Sequence, residues 1–182
     1  ELNAYFNLPG QLIVNRGIGG DTTEYLKRRF YADALQLKPR YCIMGIGIND
    51  SIELEGDYWR RLEPTPYEEV LTAAQRNISD IIRQTENTDT TLILTSLLPI
   101  HIPISLNEAV RKRYVKEMNA WLALTARRKK LIYVNYYLTT TFPGTDKLLG
   151  GITYDGLHPN ARGYEIMAAV LKNTLHQYKI NL

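Results

Sequence analysis

The sequence predicts an α/β protein, a parallel sheet with helices on both faces, in a single domain of 182 residues. Three observations predict it. Strand-like and helix-like segments alternate along the chain, the pattern of a parallel sheet whose crossovers are helices. Residues 41–48 (YCIMGIGI) are almost continuously apolar, as expected for a strand covered on both faces. The segments with chemically suggestive side chains fall after strands, where parallel sheets carry their working loops.

Taken in order, residues 11–15 (QLIVN) read as a short buried strand that runs into a glycine loop. Residues 22–37 read as a helix, with Tyr25, Leu26, Phe30, Ala34 and Leu37 at helical spacing and Pro39 ending it. The strand at 41–48 follows, then a polar stretch at 51–65 with Gly56, Pro64 and Pro66, read as a loop. Residues 67–85 form an amphipathic helix burying Val70, Leu71, Ala74, Ile78, Ile81 and Ile82. A strand at 91–98 closes at Pro99, a helix spans 108–128, and a short strand covers 131–134. The last helix runs from 161 to 178.

Composition narrows the function. The chain is 45% hydrophobic and 23% charged, with a net charge of +3, ordinary for a soluble globular protein. Its densest basic run, Arg127 to Lys130, falls where a helix should end and complements the helix dipole, so no nucleic-acid partner is expected. The one cysteine, Cys42, excludes an internal disulfide and a multi-cysteine metal site. No stretch is long enough to span a membrane, which fits a soluble protein, cytoplasmic or secreted.

The most specific chemical signal is Asp155 and His158 in YDGLHPN. A carboxylate three residues before a histidine can accept the imidazole Nδ1–H and leave Nε2 free as a base. His101 and His176 read as structural or solvated. The loop NRGIGGDTT (residues 15–23) has neither dinucleotide nor P-loop spacing. It reads as a tight turn capped by Asp21 or Thr22, or as a backbone N–H aimed at developing negative charge. Asn49 in GIND is either a loop cap or a neutral amide donor to an oxyanion.

Together NRGIGGDTT, GIND and DGLHPN, with TSLLP between them, resemble the blocks of the SGNH hydrolases, the GDSL esterase/lipase family. The resemblance runs from Asn15 to the final helix. It implies a flavodoxin-like three-layer α/β/α sandwich that hydrolyses esters or thioesters through a serine. It also implies oxyanion-hole donors at the Gly20 N–H and the Asn49 side chain, His158 as base and then acid, Asp155 as its orienting partner, and no cofactor. The substrate class implied is a small or medium acyl ester: an acetyl group on carbohydrate, a carboxyl ester, a thioester or a lysophospholipid.

One block is missing. The family's Gly-Asp-Ser, at the end of a central first strand, has no counterpart, and Ser51, Ser79, Ser96, Ser105 and Cys42 are all poorly placed to replace it. Removing a central strand strands buried backbone groups at about 1–3 kcal/mol each. A preceding segment carrying strand and serine is therefore expected, with residues 1–9 as the remnant of the first helix and its exit. Residues Tyr58, Trp59, Arg60 and Arg61 are candidates for the substrate entrance. Two competing readings are a non-catalytic relative that binds acylated glycans or lipids, and a metal-dependent phosphoesterase using Asp21, Asp50, Asp155 and His158. Oligomeric state is left open by the sequence.

Overall fold

The structure, a computed structural model, describes residues 13–56 and 63–180. Its sheet has three parallel strands in the order β1 (Tyr41–Met44), β2 (Thr91–Thr95) and β3 (Ile132–Val134). Parallel neighbours need crossovers, and helices supply them. α2 (Tyr67–Thr85) joins β1 to β2 and α3 (Glu108–Lys129) joins β2 to β3, while α1 (Thr23–Asp33) precedes the sheet. A one-turn α4 (Tyr136–Thr139) and a closing α5 (Ala161–Gln177) follow.

Strand alternation sorts the core into two faces. Leu92 and Leu94 share one apolar cluster with Phe30 of α1, Ala74, Ile78 and Ile81 of α2, and Tyr114, Met118 and Leu122 of α3. Ile93, Ile132 and Val134 share the other with Met167, Ala168, Leu171 and Leu175 of α5. The result is helix, sheet, helix. Each fully buried Leu or Ile contributes about 1.5–3 kcal/mol, so α2, with Ile78 and Ile81 wholly inaccessible, is a principal anchor of the first layer. α3 ends where Lys130 turns to φ +56 and its N–H reaches the carbonyls of Ala126 and Arg127. Arg127, Arg128 and Lys129 lie in that last turn, as their charge favours.

Several elements are shorter than the apolar pattern predicts. The strand at 41–48 stops at Met44, ahead of two glycines. A Cβ on Gly45 would lie 2.8 Å from Thr95 Oγ1, and Gly47 stands at φ +122. The strand at 91–98 stops at Thr95. The first helix stops at Asp33; a 3₁₀ turn, Leu35–Leu37, then buries Leu35 and leaves Leu37 exposed, and Tyr25 also faces outward. The polar stretch begins with a 3₁₀ helix, Asn49–Leu54, rather than open loop. Its anchor is the buried Arg111, whose Nε donates to Ser51 Oγ and whose Nη1 donates to Glu55 Oε1 at 2.6 Å.

The predicted strand at 11–15 is not found where it can be seen. Ile13, Val14 and Asn15 belong to no strand and are exposed; residues 11 and 12 lie outside the described residues. β1 pairs with β2 on one side, and among the described residues its other edge is unpaired. Ile43, in register with the wholly buried Ile93, is 42% exposed, so among the described residues β1 is not covered on both faces. Residues 13–15 do not take that free edge. The helix remnant at 1–9 and the Tyr58–Arg61 group also lie outside the described residues.

Candidate active site

Asp155 and His158 are joined as their spacing predicts. His158 Nδ1 lies 2.7 Å from Asp155 Oδ2, while Asp155 Oδ1 accepts the backbone N–H groups of Leu157 at 3.0 Å and His158 at 2.8 Å. One carboxylate thus shapes the loop and orients the ring. The His158 backbone N–H first, then its ring, then the Leu157 N–H hold the Asp155 carboxyl down at about 2. The pair faces solvent, with side chains 53% and 70% exposed for Asp155 and His158. With Nδ1 committed, the remaining ring nitrogen, Nε2, is the one open to a reacting group.

The loop is held from both ends. Tyr154 N–H donates to His158 O at 2.9 Å, and Thr153 bridges Pro159. Asn160 caps α5 by accepting from Gly163 N–H at 3.1 Å, and its own amide donates to Gly151 O. The middle is pinned to the exit of β2, where His101 N–H donates to Gly156 O at 2.8 Å. Gly156 stands at φ +84, and a Cβ there would lie 1.5 Å from His101 O. Only glycine fits. Glu108, at the start of α3, fixes the other side by accepting from Ile102 N–H at 2.6 Å, and its Oε1 lies 3.0 Å from His101 Nδ1.

Gly20 and Asn49 belong to a second assembly. Asn49 Nδ2 donates to Asp21 O at 2.9 Å, tying the turn after β1 to the glycine loop. A carboxamide has two N–H donors, so one remains for another acceptor. Gly20 sits at φ +82 with open space where a Cβ would be. Thr22, rather than Asp21, caps α1 by accepting from Tyr25 N–H. Beneath them Asp50 is buried and accepts from Thr23 N–H at 3.0 and 3.2 Å and from the Thr23 hydroxyl at 2.5 Å. Burial pushes the Asp50 carboxyl up, and the Thr23 donors work against that shift.

Both assemblies rest on one foundation. Ile48, Ile102 and Leu157 all pack against the same apolar cluster, and Tyr114 from that cluster donates to Gly47 O at 2.9 Å. The strands are parallel, so the turns after β1 and β2 lie at the same edge of the sheet, and the dyad loop docks on the second of them.

The chain's four serines are all occupied elsewhere. Ser51 is inaccessible, donates to Ile48 O and accepts from Arg111. Ser79 donates to Gln75 O within α2, Ser96 accepts from Tyr137 N–H, and Ser105 donates to Glu55. Cys42, in β1, has its thiol pushed up to about 11 by burial and is no nucleophile at neutral pH. The carboxylates that a metallophosphoesterase needs are dispersed. Asp21 pairs with Arg29 and Asp50 with Thr23, and among the described residues no three His, Cys, Asp or Glu side chains gather into a metal site.

Sequence reasoning missed the contributions of Arg29, Thr23, His101 and Gly156. Gly156 had a legible signal, a glycine inside an Asp-x-x-His turn. The backbone role of His101 had none. No helix among the described residues is long and apolar enough to cross a membrane.

Comparison with known proteins matches this architecture. An acetylxylan esterase of Geobacillus stearothermophilus is 24% identical over 176 residues, covering 92% of this chain and 73% of the relative. The crystal structure of a GDSL-like lipase from Bacteroides thetaiotaomicron superposes with a TM-score of 0.75 at 26% identity, covering 91% of this chain and 76% of the other. A Bacillus subtilis lipoprotein described as uncharacterized is 49% identical over 39 residues, 21% of this chain and 16% of that protein. The GDSL-like Lipase/Acylhydrolase family matches residues 2–166, and the chain belongs to it.

Proposed function

We propose that this chain provides the base and the oxyanion donors of a serine ester hydrolase. The observation that carries the reading is the Asp155–His158 pair, with Nδ1 tied at 2.7 Å and Nε2 left open. In the reaction, Nε2 accepts the proton of a serine hydroxyl as Oγ bonds to the acyl carbon. The carbonyl oxygen becomes an oxyanion, for which the Gly20 N–H and the free Asn49 N–H are the donors. Imidazolium then returns its proton to the departing alcohol, leaving an acyl-serine. Water then bonds to the acyl carbon as His158 takes its proton, and the imidazolium returns that proton to the serine Oγ as the Oγ–acyl bond breaks and the acid leaves.

The serine in this proposal lies on a strand that adds to the open edge of β1, within one domain of which this chain is the larger part. The unpaired edge and the exposed Ile43 support that placement. An acetyl or other short-chain ester is the substrate, a choice supported by the likeness to an acetylxylan esterase. The complete protein should release p-nitrophenol from p-nitrophenyl acetate and be silenced by a serine-directed fluorophosphonate. His158→Ala should abolish turnover, and near-normal turnover in that variant would remove His158 from the role of base.

One observation favours a second reading. All four serines are engaged away from the dyad, as expected of a protein that binds acylated glycans or lipids without cleaving them. Absence of any fluorophosphonate adduct, together with retained binding of acetylated oligosaccharide, would favour it.

A further inference from the structure

We infer that Arg29 is a positioning residue for the oxyanion hole, acting through the glycine loop; this rests on the donor roles proposed for Gly20 and Asn49. The loop has little packing of its own. A Cβ placed on Gly19 or on Gly20 would meet nothing within 4 Å, so no neighbouring side chain fixes the course of the backbone there. Inside the loop the described restraints are a weak turn from Asp21 N–H to Ile18 O at 3.3 Å and a local bond from Gly17 N–H to Asn15 Oδ1.

Its two ends are instead clamped by one guanidinium from the middle of α1. Arg29 Nε and Nη2 both donate to Asp21 Oδ2, at 2.8 and 2.5 Å, and Nη1 donates to Arg16 O at 2.9 Å. Nη1 also donates to Asp33 Oδ2 at 2.7 Å, and Asp33 in turn accepts from Arg16 Nη2 at 3.1 Å. The fork therefore spans the loop from Arg16 to Asp21. Both partners of the central pair are largely covered, with side chains 19% and 12% exposed for Arg29 and Asp21.

Asp21 links the clamp to the site. Its carboxylate is held by Arg29 while its carbonyl accepts the Asn49 amide, so the residue next to Gly20 is fixed from two directions. Moving Asp21 moves both donors at once. A planar guanidinium reaches three acceptors in a fixed geometry, whereas a lysine ammonium presents a point charge on a flexible stem. Charge alone therefore does not replace it.

The test is a double-mutant cycle in the complete protein, paired with amide hydrogen exchange at Asp21. Arg29→Lys should lower kcat by about 10- to 100-fold, below the loss expected for outright removal of an oxyanion donor, with KM changed less than about threefold. In an Asn49→Ala background the same substitution should cost clearly less than it does alone, because one of the two donors it positions is already gone. Equal losses in both backgrounds, or a loss confined to KM, would overturn the inference. The exchange arm is independent of catalysis. Arg29→Lys should speed exchange at the Asp21 amide, whose N–H donates to Ile18 O, with the amides of α5 unchanged, and unaltered exchange at Asp21 would overturn it. If the wild-type protein hydrolyses no ester, or Asn49→Ala turns over normally, the oxyanion reading fails, and the proposed role of Arg29 in that hole falls with it.

Discussion

Gly156→Ala is the substitution whose cost the structure specifies most closely. Gly156 stands at φ +84, where an alanine costs about 1–2 kcal/mol through the approach of its Cβ to the following carbonyl. The new methyl would also lie 1.5 Å from His101 O and 2.6 Å from His101 C, and these are backbone atoms with no rotamer to escape into. The two loops must part, so the 2.8 Å bond from His101 N–H to Gly156 O is lost, at about 0.5–1.5 kcal/mol. Together these make about 1.5–3.5 kcal/mol. Gly144 supplies the control, since it stands at φ +72 with open space at its Cβ, so Gly144→Ala should cost only the conformational part, about 1–2 kcal/mol. Urea unfolding of both variants beside the parent would measure the difference. A Gly156→Ala variant no less stable than Gly144→Ala would mean that the dyad loop is not seated against His101, and the described anchoring would be wrong.

Asn49→Ala should lower kcat of the complete protein by about 10²–10³ if its free N–H meets the oxyanion, and steady-state kinetics on p-nitrophenyl acetate would show it. The same change should cost about 0.5–1.5 kcal/mol of stability through the lost bond to Asp21 O, measurable separately in urea. Asp155 links stability to pH. Its carboxyl is held at about 2, below its ordinary 3.8, so its contribution is complete above about 3.8 and is lost as pH falls through about 2. The gap in urea midpoint between the parent and Asp155→Asn should therefore narrow from pH 6 towards pH 2.5; a constant gap would refute the linkage.

Apolar periodicity located the helices well because each buries one continuous stripe. Residues 67–85 are helical end to end, and Val70, Ile78 and Ile81 face inward as their spacing requires. Periodicity was weaker at strand ends. The run YCIMGIGI is apolar for eight residues, yet the strand ends at Met44 and Gly47 turns to φ +122, and hydropathy carries no record of φ. The site divides in the same way. Asp155 and His158 were legible because both partners sit within one turn, so local spacing decides whether they meet. Arg29 and Asp21 lie eight residues apart, on a helix and on the loop before it, and their pairing depends on how that loop folds back.

The two halves of the site are built by different means, and the difference bears on where a nucleophile has to enter. The dyad is fixed by its own loop and by backbone contacts to the exit of β2, so it can form without the glycine loop. The Gly20–Asn49 assembly is fixed by side chains of α1 and the turn after β1, with Asp50 buried beneath it. What joins them among the described residues is the shared apolar cluster under Ile48, Ile102 and Leu157, which sets their distance but makes no polar bond between them. For the proposed hydrolysis a serine would have to reach both halves, its hydroxyl at the His158 ring and the substrate carbonyl at the Asn49 amide. In the proposed reaction, a strand laid on the free edge of β1 would end beside Gly45–Asn49, at the sheet edge where the turns after β1 and β2 already converge. The same strand would give the exposed edge of β1 a partner. On that proposal, completion of the sheet and completion of the catalytic triad would be one structural event. Variants that block pairing at β1, such as Ile43→Pro, should therefore remove activity while leaving the Asp155–His158 contact in place.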